Sequence, residues 1–218
     1  MSRRGLLIAV EGIDGTGKSS QVRLLAETLR GKGYPVVVTR EPTDGPHGRQ
    51  IRAFFLKRQE LSPEAELELF MNDRRQHVRE IIAPALAAGE IVLTDRYYLS
   101  TAAYQGAAGR DPEEIMAANE VFAPVPDLVL LLTLPPALGI RRIRELRGEA
   151  LNDFEQAAAL NRVAEIFAAL KRDYITRIDA SASLASVRQA VAARVEELLA
   201  RAHFPAATAS EPVDKERI

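Results

Sequence analysis

Residues Leu6-Leu7-Ile8-Ala9-Val10-Glu11-Gly12-Ile13-Asp14-Gly15-Thr16-Gly17-Lys18-Ser19 pass from an apolar run into the pattern G-x-x-x-x-G-K-[ST], met at every fixed position. Gln21-Val22-Arg23-Leu24-Leu25-Ala26-Glu27-Thr28-Leu29 follows with helical spacing. Strand, loop and helix in that order are what phosphate binding requires. The glycines let the backbone curl so that several N–H groups and the helix N-terminus converge on one anion. Lys18 adds a mobile cation for the outer phosphates, and the Ser19 hydroxyl suits Mg²⁺. A glycine-rich turn serving structure alone needs neither side chain. The stretch predicts a nucleoside triphosphate bound by Gly12, Ile13, Asp14, Gly15, Thr16, Gly17, Lys18, Ser19 and Ser20.

Outward from this loop, strand and helix signals alternate. Pro35 to Thr39 reads as a second buried strand, with Arg40-Glu41-Pro42 at its tip. A Gly- and Pro-rich loop, 43–48, leads to a helical stretch carrying Ile51, Phe54, Phe55 and Leu56. Ser62-Pro63-Glu64 reads as a helix cap with proline in the first turn. That helix runs through Leu67, Phe70, His77 and Ile81, and Pro84 should disturb its end. Ile91 to Thr94, Leu128 to Leu134 and Tyr174 to Ile178 are further strands, and Leu184 to Ala200 is the last helix. Five apolar strands separated by helices predict an α/β fold, a parallel sheet covered on both faces. One domain over residues 1–203 and a frayed tail over 204–218 are expected. Ligands of such sheets gather at the strands' carboxyl ends. The residues to watch are therefore Asp14 to Ser19, Arg40-Glu41 and Asp95-Arg96. Asp95 suits an indirect or water-mediated contact to Mg²⁺ and Arg96 suits a phosphate fork, although a plain ion pair at a strand end would look the same.

The composition excludes several classes. Basic and acidic residues nearly cancel, 29 against 30, so no global charge advertises a nucleic-acid partner. Cysteine is absent and histidine occurs three times, too few for a zinc-type cluster. No run of about 18 apolar residues or signal segment stands out, which makes a cytoplasmic enzyme without membrane contact the default expectation.

Four segments, in order over the first half of the chain, resemble the thymidylate kinases: Glu11 to Ser20, Thr39-Arg40-Glu41-Pro42, Leu69-Phe70-Met71-Asn72-Asp73-Arg74-Arg75-Gln76-His77, and Asp95-Arg96-Tyr97-Tyr98-Leu99-Ser100-Thr101-Ala102-Ala103-Tyr104-Gln105-Gly106. The resemblance implies a P-loop NTPase three-layer α/β/α fold and transfer of the γ-phosphate of ATP to dTMP with Mg²⁺. It also implies a homodimer. Phe70 would stack on thymine and Arg74 would hydrogen-bond its carbonyl edge. Arg96, with Arg40, would hold the acceptor phosphate. Glu41 joins the substrate set, Asp14 would approach the sugar 3′-hydroxyl, and Tyr104 would fill the space of a ribose 2′-hydroxyl. Ser100 and Gln105 would line the base pocket, and Ser19 with Asp95 would serve the metal. Arg142, in the helix after Pro135, joins the ATP-binding set.

Two departures stand out. The family places a transition-state arginine in the phosphate loop or in a lid; this loop has none, and the lid, 144–155, carries Asn152-Asp153-Phe154-Glu155 where Asp-Arg-x-Glu is usual. Arg147 is the candidate to join Lys18, Arg96 and Asp14 in catalysis, with Arg144 and Arg162 as alternatives. Thr43-Asp44-Gly45 replaces the glycine usual after Arg-Glu-Pro, which predicts a different loop path. Two rival functions follow: a deoxynucleoside kinase with Glu41 as general base, and a nucleotide-binding paralogue that has lost lid chemistry.

Overall fold

A computed structural model describes residues 4–57, 62–147 and 153–206. Five strands, β1 (Leu6–Glu11), β2 (Val36–Arg40), β3 (Ile91–Asp95), β4 (Leu128–Thr133) and β5 (Ile175–Asp179), form one parallel sheet in the order β2-β3-β1-β4-β5. All five strands anticipated above are present, with ends moved by one residue. Proline has no N–H to give a neighbouring strand, so β2 starts after Pro35, whose carbonyl still accepts from Ile91. β2 and β5 each run one residue further than expected, to Arg40 and Asp179, and β4 stops at Thr133, ahead of Leu134 and two prolines.

Strand residues alternate between two apolar layers because successive side chains face opposite sides of a sheet. Leu6, Ile8 and Val10 point with Leu130 and Leu132 toward α1 (Lys18–Gly31) and α9 (Leu184–Arg201). Leu7, Ala9 and Leu131 point toward α5 (Tyr98–Ala107), α6 (Pro112–Glu120) and α8 (Asp153–Ala169). The chain after β1 thus turns to one face and the chain after β3 to the other, and the two loops part to leave a crevice. Register levels the strand ends: Val10 and Arg40 both pair with Asp95.

Two helices bring further residues to that edge. α2 (Pro46–Lys57) follows β2, and α3 (Pro63–His77) is capped by the Ser62 side chain, which accepts from the Ala65 N–H. The disturbance expected near Pro84 lies upstream of it: Val78–Ile82 is a π turn, closed by Ala83 N–H donating to the Val78 carbonyl, and Pro84 sits in the first turn of α4 (Ala83–Ala87). Pro84 has no N–H for a carbonyl one turn back, so the ladder widens before it. Of the expected lid, 144–155, residues 144–147 end α7 (Pro136–Arg147), residues 153–155 begin α8, and residues 148–152 lie outside the described residues.

Candidate active site

The phosphate loop is built for an anion. Gly12, Gly15 and Gly17 all have positive φ, and a β-carbon on Gly15 would stand 2.4 Å from the Gly139 carbonyl oxygen. α1 starts with no side-chain cap and no acidic residue in its first turn, so its leading N–H groups stay available to a phosphate. The Thr16 hydroxyl donates to the Ile13 carbonyl at 2.9 Å and Lys18 Nζ donates to the same oxygen at 2.9 Å, folding the loop on itself. Burial and the neighbouring Arg96 guanidinium push the Lys18 ammonium down to about 8, against the pull of Asp14, Asp95 and Glu11. An arriving triphosphate therefore stabilises a cation that the protein holds under tension. Loop and strand ends line a cleft of about 640 Å³ that includes Asp14, Lys18, Ser19, Asp95, Arg96 and Arg142, ample for a nucleotide's phosphates. Arg142 is steadied at its rim by donating to the Ala180 carbonyl at 2.9 Å.

Ser19 and Asp95 meet across the cleft. The Ser19 hydroxyl donates to Asp95 Oδ2, while Asp95 Oδ1 is buried with no hydrogen-bond partner. One hydroxyl and one carboxylate, both hard oxygen donors beside a phosphate seat, fit Mg²⁺, which takes few protein ligands and leaves other positions to water and phosphate.

Arg96 stands at the centre. Its φ of 70° is a left-handed conformation that non-glycine residues rarely adopt, and its N–H donates to the Val10 carbonyl at 3.0 Å. The guanidinium donates to Asp14 Oδ1 at 2.5 Å and Ser100 Oγ at 3.0 Å, and lies 5.3 Å from the Tyr104 ring centre. Burial disfavours its charge, but the surrounding anions, Asp14 foremost, hold it charged beyond the ordinary arginine range. The Tyr104 hydroxyl donates to Asp14 Oδ2 at 3.2 Å, so one carboxylate joins arginine and tyrosine; burial, with Asp14, pushes the phenol up to about 12.

Beside this triad lies a buried polar nest. Arg74 Nε and Nη2 both donate to Glu41 Oε2, Nη2 also to Thr101 Oγ1 at 2.9 Å, and Nη1 to Asn119 Oδ1 at 2.7 Å. His77 Nδ1 meets Glu41 Oε1 at 2.9 Å. Burial would raise the Glu41 carboxyl, yet the Arg74 guanidinium and His77 outweigh it and hold it below the usual carboxylate range. Four of the five Arg74 N–H groups are spent inside the protein, which leaves the second N–H of Nη1 for the base contact expected of this residue. Glu41, fully paired, is no poised base for a nucleoside hydroxyl.

Other expected residues fall into place unevenly. Phe70 belongs to neither core layer; its ring is half-buried, 6.3 Å from that of Phe55. Gln105 is buried, its Nε2 donating to Glu66 at 3.0 Å and its Oε1 without a partner. Ser100, expected at the base pocket, has its hydroxyl engaged by Arg96 and Glu11. Arg40 projects outward and donates to Asp44 at 2.8 Å, and Arg52 meets the same carboxylate. The altered Thr43-Asp44-Gly45 loop is tied down by these contacts and by Asp73, which accepts from both the N–H and the hydroxyl of Thr43. The Arg147 side chain and residues 148–152 lie outside the described residues, and so do the side chains of 153–156. Arg162, on α8, lines a second cleft of about 470 Å³ that opens on Asp14 and Tyr104.

The thymidylate kinase profile matches residues 10–191. The chain belongs to the thymidylate kinase family. It is similar to the thymidylate kinase of Desulfotalea psychrophila, with 51 % identity over 195 residues, 89 % of this chain and 96 % of that one. A Xanthomonas campestris pv. campestris thymidylate kinase is 52 % identical over 198 residues, 90 % of this chain and 86 % of the relative. One from Xylella fastidiosa is 45 % identical over 195 residues. The thymidylate kinase match spans every element carrying the site, from β1 into α9, so family and geometry concern the same residues. Among the described residues, no helix is long and apolar enough to cross a membrane.

Four residues of the site went unassigned from sequence: Glu11, His77, Thr101 and Asn119. Glu11 had a visible signal, a carboxylate ending a strand whose six residues are all buried. Asn119 had none, lying in a helix that no motif covers.

Proposed function

We propose that the protein transfers the γ-phosphoryl group of ATP to dTMP, giving dTDP and ADP, with the phosphate loop as donor site and the crevice beside Arg96 as acceptor site. A pair of unspent hydrogen-bonding groups carries this reading: the buried Gln105 Oε1, which lacks a partner, and the remaining Arg74 Nη1–H. One acceptor and one donor complement the N3–H and a carbonyl of thymine, and the half-buried Phe70 face suits stacking on the base.

The monophosphate already presents an anionic oxygen, so the reaction needs alignment and charge neutralisation rather than a protein base. Arg96 holds the acceptor phosphate, Lys18 the outer donor phosphates, and Asp14 orients Arg96 while accepting from the sugar hydroxyl. Ser19 and Asp95 would hold Mg²⁺, which supplies charge neutralisation on the donor phosphates. Arg40 is a second phosphate contact once it leaves Asp44, and Arg147 and Arg162 are candidates to complete the charge at the transferring group. Burial of Glu41 against Arg74 and His77 disfavours the nucleoside kinase alternative. A homodimer forms part of the reading; apolar Val38 and Ile81, exposed at the edge beside β2, offer surface for a second copy.

Coupled ADP-release assays with dTMP, N3-methyl-dTMP, the other monophosphates and thymidine test the assignment. Turnover of dTMP with rejection of the N3-methylated analogue is expected. Equal turnover of both removes Gln105 and Arg74 from base reading, and turnover of thymidine alone restores the nucleoside kinase.

A further inference from the structure

Arg96 is held by a chain of hydrogen bonds that begins on another strand. Glu11 closes β1, buried completely. Its Oε1 accepts from the Tyr97 N–H at 2.8 Å and the Ser100 N–H at 3.1 Å, and its Oε2 accepts from the Ser100 hydroxyl at 2.5 Å. One N–H belongs to Tyr97, the N-cap residue of α5, and the other to the first turn of that helix, and Tyr97 itself contributes no side-chain bond. A carboxylate from the neighbouring strand therefore caps the helix. Because the Ser100 hydroxyl donates its proton to Glu11, its lone pairs face outward, and one accepts from Arg96 Nη1.

We propose that Glu11 is a positioning residue for phosphoryl transfer: through Ser100 it aims the Arg96 guanidinium at the acceptor phosphate. This rests on the acceptor role of Arg96 given above. The polarity of the chain matters. With Glu11 ionised, every donor in it has an acceptor. With Glu11 protonated or replaced by glutamine, Oε2 or its amide equivalent becomes a donor toward Ser100 Oγ. The serine proton then loses its acceptor and competes with Arg96 for orientation. The charged groups around Glu11 are Arg96, beyond β3, and Lys18, in α1, with Asp14 and Asp95 across from both. Burial pushes the Glu11 carboxyl up to about 7, against the Ser100 hydrogen bond and Arg96, so the chain changes polarity near neutral pH.

Steady-state kinetics of wild type, Glu11→Gln, Ser100→Ala and the double variant, from pH 6 to 9, test this. Each single change should lower kcat/KM for dTMP about 10–100-fold, the range for losing one charge-assisted contact, with KM for ATP unchanged. The double variant should be no worse than the poorer single, because both break one chain. Wild type should lose kcat/KM for dTMP as pH falls through about 7, over and above the ionisation of the nucleotide's own phosphate. Glu11→Gln should retain the nucleotide's ionisation alone. Equal losses toward ATP and dTMP, additive losses, or an unchanged acid limb would each overturn the inference and leave Glu11 as a helix cap. If Glu11→Gln does not fold, Ser100→Ala decides by the same split of KM values. A wild type that turns over no monophosphate overturns the acceptor reading and this inference with it. Wild-type turnover with unaltered variants overturns the inference alone.

Discussion

Replacing Glu41 with alanine should destabilise the protein severely. The carboxylate is 5 % exposed and Arg74 2 %. Removal strips Arg74 of its partner for both Nε and Nη2 and leaves His77 Nδ1 facing a void. Breaking one side of a buried ion pair costs about 3–5 kcal/mol, chiefly because the surviving charge is stranded away from water. For a domain of this size each kcal/mol moves Tm by roughly 2–4 °C. Calorimetry or circular dichroism of Glu41→Ala should therefore show Tm lowered by about 6–20 °C at pH 7. Glu41→Leu combined with Arg74→Met should lose less than the sum of the singles, since no charge is left unpaired. The pH dependence has a definite sign. The folded carboxyl lies below its ordinary 4.5, so this stabilisation is complete above pH 4.5 and disappears as pH falls through the lower folded value. The gap between wild type and Glu41→Ala should narrow below pH 4.5. A Tm change under about 3 °C at pH 7 would refute the stranded-charge reasoning.

Further outcomes follow from the same geometry. Arg96→Ala should abolish detectable phosphoryl transfer, a loss of about 10²-fold or more, while calorimetric ATP affinity changes little; near-normal turnover would remove Arg96 from the acceptor site. Tyr104→Ala should raise turnover of 5-methyl-UMP relative to dTMP by opening space beside the sugar, and an unchanged ratio would end its role as gatekeeper. Glu11 contributes to stability with the opposite sign from Glu41. Its folded carboxyl sits near 7, above 4.5, so the contribution is complete below pH 4.5 and is lost as pH rises through about 7. By linkage that shift corresponds to about 3 kcal/mol. Urea unfolding of Glu11→Gln should lack this slope, and a wild-type slope in the variant would show that another group titrates.

Much of the site was legible because its chemistry is local. Gly12 to Ser19 carry their own geometry, since a phosphate loop needs glycines, a lysine and a helix start at adjacent positions. Asp95 and Arg96 were candidates because a parallel sheet exposes strand ends, and both line the cleft beside the phosphate loop. Arg74 was expected to reach the base, and nothing local says that Glu41, Thr101 and Asn119, from three other segments, converge on it. Ser100 was expected at the base pocket, and what no local pattern announced is that its hydroxyl gives its proton to Glu11, 89 positions away on a strand, while accepting from the nearby Arg96. Pro84 announced a break in its helix, but the widened turn fell one turn earlier, where the missing N–H is felt.

By itself the sequence determined the alternation of strands and helices, the phosphate loop and the family's motifs, because periodicity, capping and loop chemistry act between residues a few positions apart. Tertiary structure alone decided which polar groups remain unspent. Hydrogen-bond capacity is allotted among side chains far apart in the chain, as between Glu11 and Ser100, 89 positions apart, or Tyr104 and Asp14, 90 apart. What Gln105 Oε1 and the last Arg74 N–H can recognise depends on what their buried neighbours have already taken.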